Sequence, residues 1–263
     1  MLAAFALLLF PAPVADGEVK IRSNDVERTF LLKTPRGYDS SKPTPVVFGF
    51  HGWTSNAKQF TAYTRIPEEA AKRGWISVIP QGLGSTPGWN VGWINLTGIS
   101  PAPKDAELFA DILDSLKRTM RIDEKRVYVC GHSNGAFLTN LIASRYGDRV
   151  AAFGSVAGTI GLPGKDDIIG IPKPKTKLSG IFVHGDRDAT VAYGPEVKAL
   201  LKGVYALDSA RWWAEKLDYR PAGDGEWRGR GGEIRLVTRK GGGHEWGSDT
   251  TTTLLDFFAS KKR

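Results

Sequence analysis

The sequence predicts an α/β fold with a mostly parallel central sheet and helices on both faces. Short, continuous apolar runs recur along the chain, and segments with helical spacing separate them. The motif Gly131-His132-Ser133-Asn134-Gly135 also falls where one apolar run gives way to a helical segment. The runs lie at residues 46–50, 75–79, 127–130, 151–153 and 181–183. Because they do not alternate with polar residues, they read as strands covered on both faces. Residues 19–22 and 29–33 form a candidate antiparallel pair ahead of them. Helices are expected over 60–73, 106–120, 136–146, 204–217 and 251–260. In the second of these, Leu108, Phe109, Ile112, Leu113 and Leu116 recur at the spacing of one buried face. Only about two dozen residues separate the strands near Phe153 and Phe182, too few for a sizeable lid domain. A site at that end of the sheet should therefore be open, which suits a bulky or polymeric substrate.

Composition narrows the class. The chain has 263 residues, 41% apolar and 24% charged, with neither repeat nor linker, so residues 18–263 are expected to form one domain. The 36 Lys and Arg against 28 Asp and Glu leave a net charge of +8. These basic residues are scattered rather than interleaved with stacking aromatics, so no nucleic-acid partner is expected. Cys130 is the only cysteine, which excludes internal disulfides. The four histidines lack metal-ligand spacing, so neither metal nor cofactor is expected, and the chain should act as a monomer. Residues 2–10 are almost uniformly apolar but too short to span a bilayer. With small residues at Ala15 and Gly17, residues 1–17 resemble a signal peptide lacking a basic start. Secreted or periplasmic export, without stable membrane insertion, is the expectation.

Gly131-His132-Ser133-Asn134-Gly135 is G-x-S-x-G in a strand–turn–helix setting. So sharp a turn strains its central residue, and side chains at its flanks would collide with the strand and helix. Glycines there leave the Ser133 hydroxyl exposed, with the following helix N-terminus favouring negative charge behind it. Acyl transfer also needs two N–H donors aimed at the oxyanion. The amide of Asn134 is one candidate, and the amide of Trp53, in His51-Gly52-Trp53 after an earlier strand, is the other. A serine hydroxyl needs a base, and the base needs an acid to orient it. Only His184 and His244 lie downstream of Ser133. His184 ends a strand, whereas His244 sits in the glycine-rich loop Gly241-Gly242-Gly243-His244 and can project into a site. For the acid, Asp188 lies farther into its loop than Asp186 and has the longer reach, with Asp186 as a loop cap. His51 and His132 are read as residues that stabilise their loops. Trp89, Trp93 and Trp246 are expected to border the cleft and bind substrate, although they could equally pack the loops onto the domain.

These residues carry a resemblance. Residues 122–136, continuing to Phe153-Gly154-Ser155-Val156-Ala157-Gly158, resemble the polyhydroxybutyrate depolymerase-like group of the α/β-hydrolase superfamily, which includes feruloyl and acetylxylan esterases. His51-Gly52-Trp53, Pro80-Gln81-Gly82, His184-Gly185-x-x-Asp188 and Gly243-His244-x-Trp246 extend the resemblance over nearly the whole chain after Gly17. It implies the α/β-hydrolase fold and a triad of Ser133, Asp188 and His244, favouring Asp188 over Asp186. The implied activity is serine carboxylic ester hydrolysis through an acyl-enzyme. A polyester, a feruloyl or an acetylxylan substrate would each fit, and a serine peptidase or an inactive surface-binding homologue are the competing readings.

Overall fold

The structure, a computed structural model, describes residues 16–263. The candidate leader lies outside the described residues except for its last two, and Gly17 already opens the first strand. β1 (Gly17–Ser23) and β2 (Val26–Lys33) pair antiparallel, as the sequence predicts. The remaining strands are β3 (Thr44–Phe50), β4 (Ile76–Pro80), β5 (Ile122–His132), β6 (Ala152–Val156), the short β7 (Gly161–Leu162) and β8 (Ile169–Gly170), β9 (Ser179–Gly185), β10 (Arg220–Gly223), β11 (Glu226–Gly229) and β12 (Gly232–Arg239). Ten of them form one sheet in the order β1-β2-β4-β3-β5-β6-β9-β12-β11-β10. From β4 to β12 every neighbouring pair is parallel, and antiparallel hairpins close both edges. Every residue of β3, β4, β6 and β9 is buried, the physical counterpart of their unbroken apolar runs.

Among the described residues, six helices cover the sheet: α1 (Ala57–Thr64), α2 (Ile66–Lys72), α3 (Asp105–Thr119), α4 (Asn134–Arg145), α5 (Ala206–Lys216) and α6 (Thr250–Ala259). Successive side chains of β3 feed two separate cores, Phe48 joining Phe109, Leu138 and Trp213 while Val47 joins Phe60, Leu254 and Phe258. Thus α3, α4 and α5 occupy one face, and α1, α2 and α6 the other. Beneath α4, Asn140 Nδ2 donates to the Ala136 carbonyl and to Ser155 Oγ, each at 2.9 Å, while Trp213 Nε1 donates to Asn140 Oδ1 at 2.9 Å. These buried bonds seat α4 on β6, with α5 against it.

Two features differ from the sequence reading. The helix expected over 60–73 is two helices, broken at Arg65, whose φ of 54° is left-handed. Pro67 explains the break, because it has no N–H for a continuing turn and its ring would strike the preceding carbonyls. The sheet also continues beyond the run at 181–183: β12 pairs in parallel with β9, and β11 and β10 follow it. Between β6 and β9 the chain forms only the two-stranded β7–β8 pair, with no lid domain.

Candidate active site

Ser133 follows β5 and immediately precedes α4, with φ 53° and ψ −122°, a positive-φ conformation that a residue with a side chain rarely adopts. Its flanks explain the glycines. A Cβ at Gly135 would fall 2.1 Å from the Phe50 carbonyl oxygen, and one at Gly131 would fall 2.3 Å from the Gly135 carbonyl oxygen. The Ser133 amide donates to the Val156 carbonyl at 2.9 Å, fixing the turn to β6. The hydroxyl therefore projects from the carboxyl end of the sheet on a backbone that its surroundings hold strained.

The structure brings His244 and Asp188 to this hydroxyl. His244 Nε2 lies 2.8 Å from Ser133 Oγ, and His244 Nδ1 lies 2.8 Å from Asp188 Oδ2. With the carboxylate accepting, Nδ1 carries the proton and Nε2 is free to accept the serine O–H. Asp188 is fully buried after β9, and its Oδ1 accepts from the Thr190 and Val191 amides at 2.8 and 2.9 Å. Burial alone would push its carboxyl up, but hydrogen bonds from His184, His244 and Val191 outweigh that and hold it well below the usual carboxylate range. Asp186 takes the capping role, its Oδ1 accepting from the Gly241 amide at 2.7 Å. The Arg187 amide adds a bond to the Gly242 carbonyl at 2.9 Å. The loop bearing His244 is thus laced to the loop bearing Asp188, and Arg239 ties its far side to Asp249 and Thr250. His184 stays within its own loop, with Nε2 2.7 Å from the Val191 carbonyl oxygen and 3.2 Å from Asp188 Oδ2. It supports the Asp188 carboxylate, a contact that the sequence reading did not anticipate.

The His51–Trp53 loop leaves β3 directly beside Ser133: a Cβ at Gly52 would sit 3.3 Å from Ser133 Cβ. His51 is buried, with Nδ1 2.8 Å from the Gly52 carbonyl oxygen and Nε2 accepting from the Gly82 amide at 2.9 Å. Burial pushes its imidazole down to about 4, so it holds this loop as a neutral ring. Trp89 completes the support, its indole N–H donating to the His51 carbonyl at 2.7 Å and its amide donating to Asn134 Oδ1 at 2.7 Å. Trp89, through its indole and its backbone amide, thereby couples the two peptide segments whose amides, at Trp53 and Asn134, are the candidate oxyanion donors. The loop carrying Trp89 is anchored by Asp105 at the start of α3. That carboxylate accepts from the Asn90 amide at 2.7 Å and forms a buried ion pair with Arg28 of β2 at 2.7 Å.

Of the three tryptophans expected to border the cleft, only Trp89 is enclosed in the core. Trp89 has no exposed surface and packs on Phe50 and His51, so its ring offers no face to the cleft. It is a core residue because its indole N–H has an internal acceptor. Trp93 is half-buried and lies on Phe137. Trp246 is also half-buried, packed on Phe60 and His132, with its indole N–H donated to Thr251 at 2.9 Å. The exposed aromatics here are Trp53 and Tyr63, 48% and 44% accessible. Trp53 was legible only as an amide position, and Tyr63 only as part of a helix.

The model of the esterase PHB depolymerase family matches residues 29–168, 140 of the 263 residues. The chain belongs to this family. The matched segment holds the His51–Trp53 loop and Ser133, whereas Asp188 and His244 lie beyond it. Among similar proteins, the bifunctional acetylxylan esterase/xylanase XynS20E of Neocallimastix patriciarum is 25% identical over 159 residues, 60% of this chain and 21% of that protein. Poly(3-hydroxyalkanoate) depolymerase C of Paucimonas lemoignei is 28% identical over 173 residues, 56% of this chain and 41% of that protein. The chain thus spans less than half the length of either relative. The acetyl xylan esterase of Aspergillus awamori has the same fold, with a TM-score of 0.66 at 14% identity, covering 92% of this chain and 99% of that one.

Proposed function

We propose that the protein is a serine carboxylic ester hydrolase that works through an acyl-enzyme on a bulky or polymeric ester. The observation that carries the reading is the hydrogen-bonded line from Ser133 Oγ to His244 Nε2 and from His244 Nδ1 to Asp188 Oδ2, 2.8 Å at each step. In the first half-reaction Ser133 Oγ attacks the ester carbonyl carbon while its proton passes to His244 Nε2. The carbonyl oxygen becomes an oxyanion held by the Trp53 and Asn134 amides, at the N-terminus of α4. Collapse breaks the bond to the alcohol oxygen, which leaves with the proton from His244 Nε2. A water then gives a proton to the same nitrogen and its oxygen attacks the acyl carbon, releasing the acid and returning the proton to Ser133. Asp188 stays ionised throughout and fixes the His244 tautomer.

The open carboxyl edge, free of a lid domain among the described residues, supports a polymer chain or a large alcohol group as one partner of the ester. Exposed aromatic faces at Trp53 and Tyr63 give such a group apolar surface to lie on. A polyhydroxyalkanoate-type polyester and a feruloyl- or acetyl-substituted polysaccharide share these demands. Initial rates on hydroxybutyrate oligomers, methyl ferulate and acetylated xylan, each repeated with Ser133→Ala, test the reading. Hydrolysis of at least one that disappears in the variant is expected. No hydrolysis of any of them, or activity that survives the variant, would contradict it.

A further inference from the structure

His132 has no part in the reaction just described: it neither attacks, nor takes the proton, nor faces the oxyanion. Its ring nevertheless lies against the base. The His132 and His244 ring centroids are 5.3 Å apart, with 30° between their planes. From α1, Tyr63 brings its hydroxyl oxygen 3.3 Å from His132 Nδ1. From the His244 loop, Trp246 meets the His132 ring edge-on at 6.1 Å. Trp246 is itself fixed by Phe60 of α1 and by Thr251 of α6, whose hydroxyl donates onward to the Thr64 carbonyl at 2.5 Å. Meanwhile His132 Nε2 is buried with no hydrogen-bond partner among the described residues. An orphaned buried nitrogen is unfavourable, so hydrogen bonding alone does not account for a histidine here.

We propose that His132 is a positioning residue for His244: its ring is the shelf that keeps the base's imidazole in line between Ser133 Oγ and Asp188 Oδ2. The proposal rests on the serine-esterase reading. A base that swings freely would spend little time in the reactive geometry, and small misplacements of such groups are costly. The shelf must also tolerate the positive charge His244 carries after taking the serine proton. An uncharged aromatic face does so, whereas a second imidazolium would repel it. The titratable groups facing His132 are Tyr63 from α1, His244 from its loop, Asp188 from the loop after β9 and His184 from β9 itself. Burial first, and then the neighbouring His244, push His132 down to about 3, with Asp188 opposing and His184 adding to the fall. The shelf is therefore neutral wherever the base works.

The test compares His132→Ala, His132→Gln and His132→Phe, with kcat on p-nitrophenyl acetate expressed per site titrated by a fluorophosphonate. Loss of the ring in the Ala and Gln variants should lower kcat about tenfold while KM changes less than about twofold. The Phe variant, which restores a ring without nitrogens, should return to within about threefold of the parent. In parallel, the His244 Nδ1–H proton resonance should be visible in the parent and in His132→Phe and be lost to exchange in His132→Ala. This signal needs no turnover, so it separates failure of the shelf from failure of the esterase reading. Unchanged kcat in His132→Ala, or a fall in His132→Phe as deep as in His132→Ala, would overturn the proposal.

Discussion

His184 and His244 converge on one atom: Asp188 Oδ2 lies 3.2 Å from His184 Nε2 and 2.8 Å from His244 Nδ1. The contacts have different consequences. His244 faces Ser133, whereas His184 turns the same nitrogen to the Val191 carbonyl at 2.7 Å and so fixes the loop that carries Asp188. Asp188→Asn should lower kcat by roughly 10³–10⁴, because the amide no longer imposes the productive tautomer. His184→Asn should instead act mainly on stability, by about 1–3 kcal/mol, through the bonds it leaves unmade. Steady-state kinetics and urea denaturation of both variants check the division, which similar kinetic losses in the two would contradict.

Trp89→Phe keeps an aromatic ring in the core but removes the donor to the His51 carbonyl. The His51–Trp53 loop should slacken, lowering kcat about tenfold, less than the loss typical of deleting an oxyanion donor outright. Stability should fall by about 1–3 kcal/mol for the orphaned carbonyl. A parent-like kcat would show that the loop does not depend on this bond.

Arg28 and Asp105 are both buried, so removing one leaves the other's charge without a partner. Arg28→Met is expected to cost about 3–5 kcal/mol in urea denaturation, and the double variant Arg28→Met/Asp105→Leu should recover part of it. If the double variant is no more stable than the single one, the loss arises elsewhere.

Acid should destabilise the protein in two stages. His51 and His132 are held neutral down to about 4 and about 3, whereas an unfolded histidine takes its proton near about 6.5. Below that point the unfolded chain binds protons that the native state refuses, so stability falls as pH drops toward those lower values, by several kcal/mol in all. Asp188 has the depressed carboxylate pattern. Its contribution is present above the unfolded value of about 3.9 and is lost as pH falls below it. Melting temperatures from pH 7 to pH 4 should therefore decline, and less steeply for His132→Gln. Parallel slopes would contradict the assignment.

Much of this was legible because local constraints were strong. The unbroken apolar runs of β3, β4 and β9 follow from burial on both faces, and Gly131 and Gly135 follow from carbonyl oxygens just over 2 Å from where a Cβ would stand. Other features depend on tertiary context. β12 carries Arg235 and Arg239 among its apolar residues, because its faces are only partly covered, and so it lacks the run of a central strand. Trp89 looked like a cleft residue because loop position correlates with exposure. Only the His51 carbonyl and the Asn134 side chain, distant in sequence, show that it belongs in the core. Tyr63 was hidden for the converse reason, since the break at Arg65 is what ends its helix beside His132 and Ser133.

The most direct test of the account is covalent capture. After treatment with an alkyl fluorophosphonate, intact-mass spectrometry and peptide mapping should find one adduct, on Ser133, absent in Ser133→Ala and formed far more slowly in His244→Ala. An adduct on another residue, or unimpaired labelling of Ser133 without His244, would contradict a nucleophile activated through the hydrogen-bonded line to Asp188.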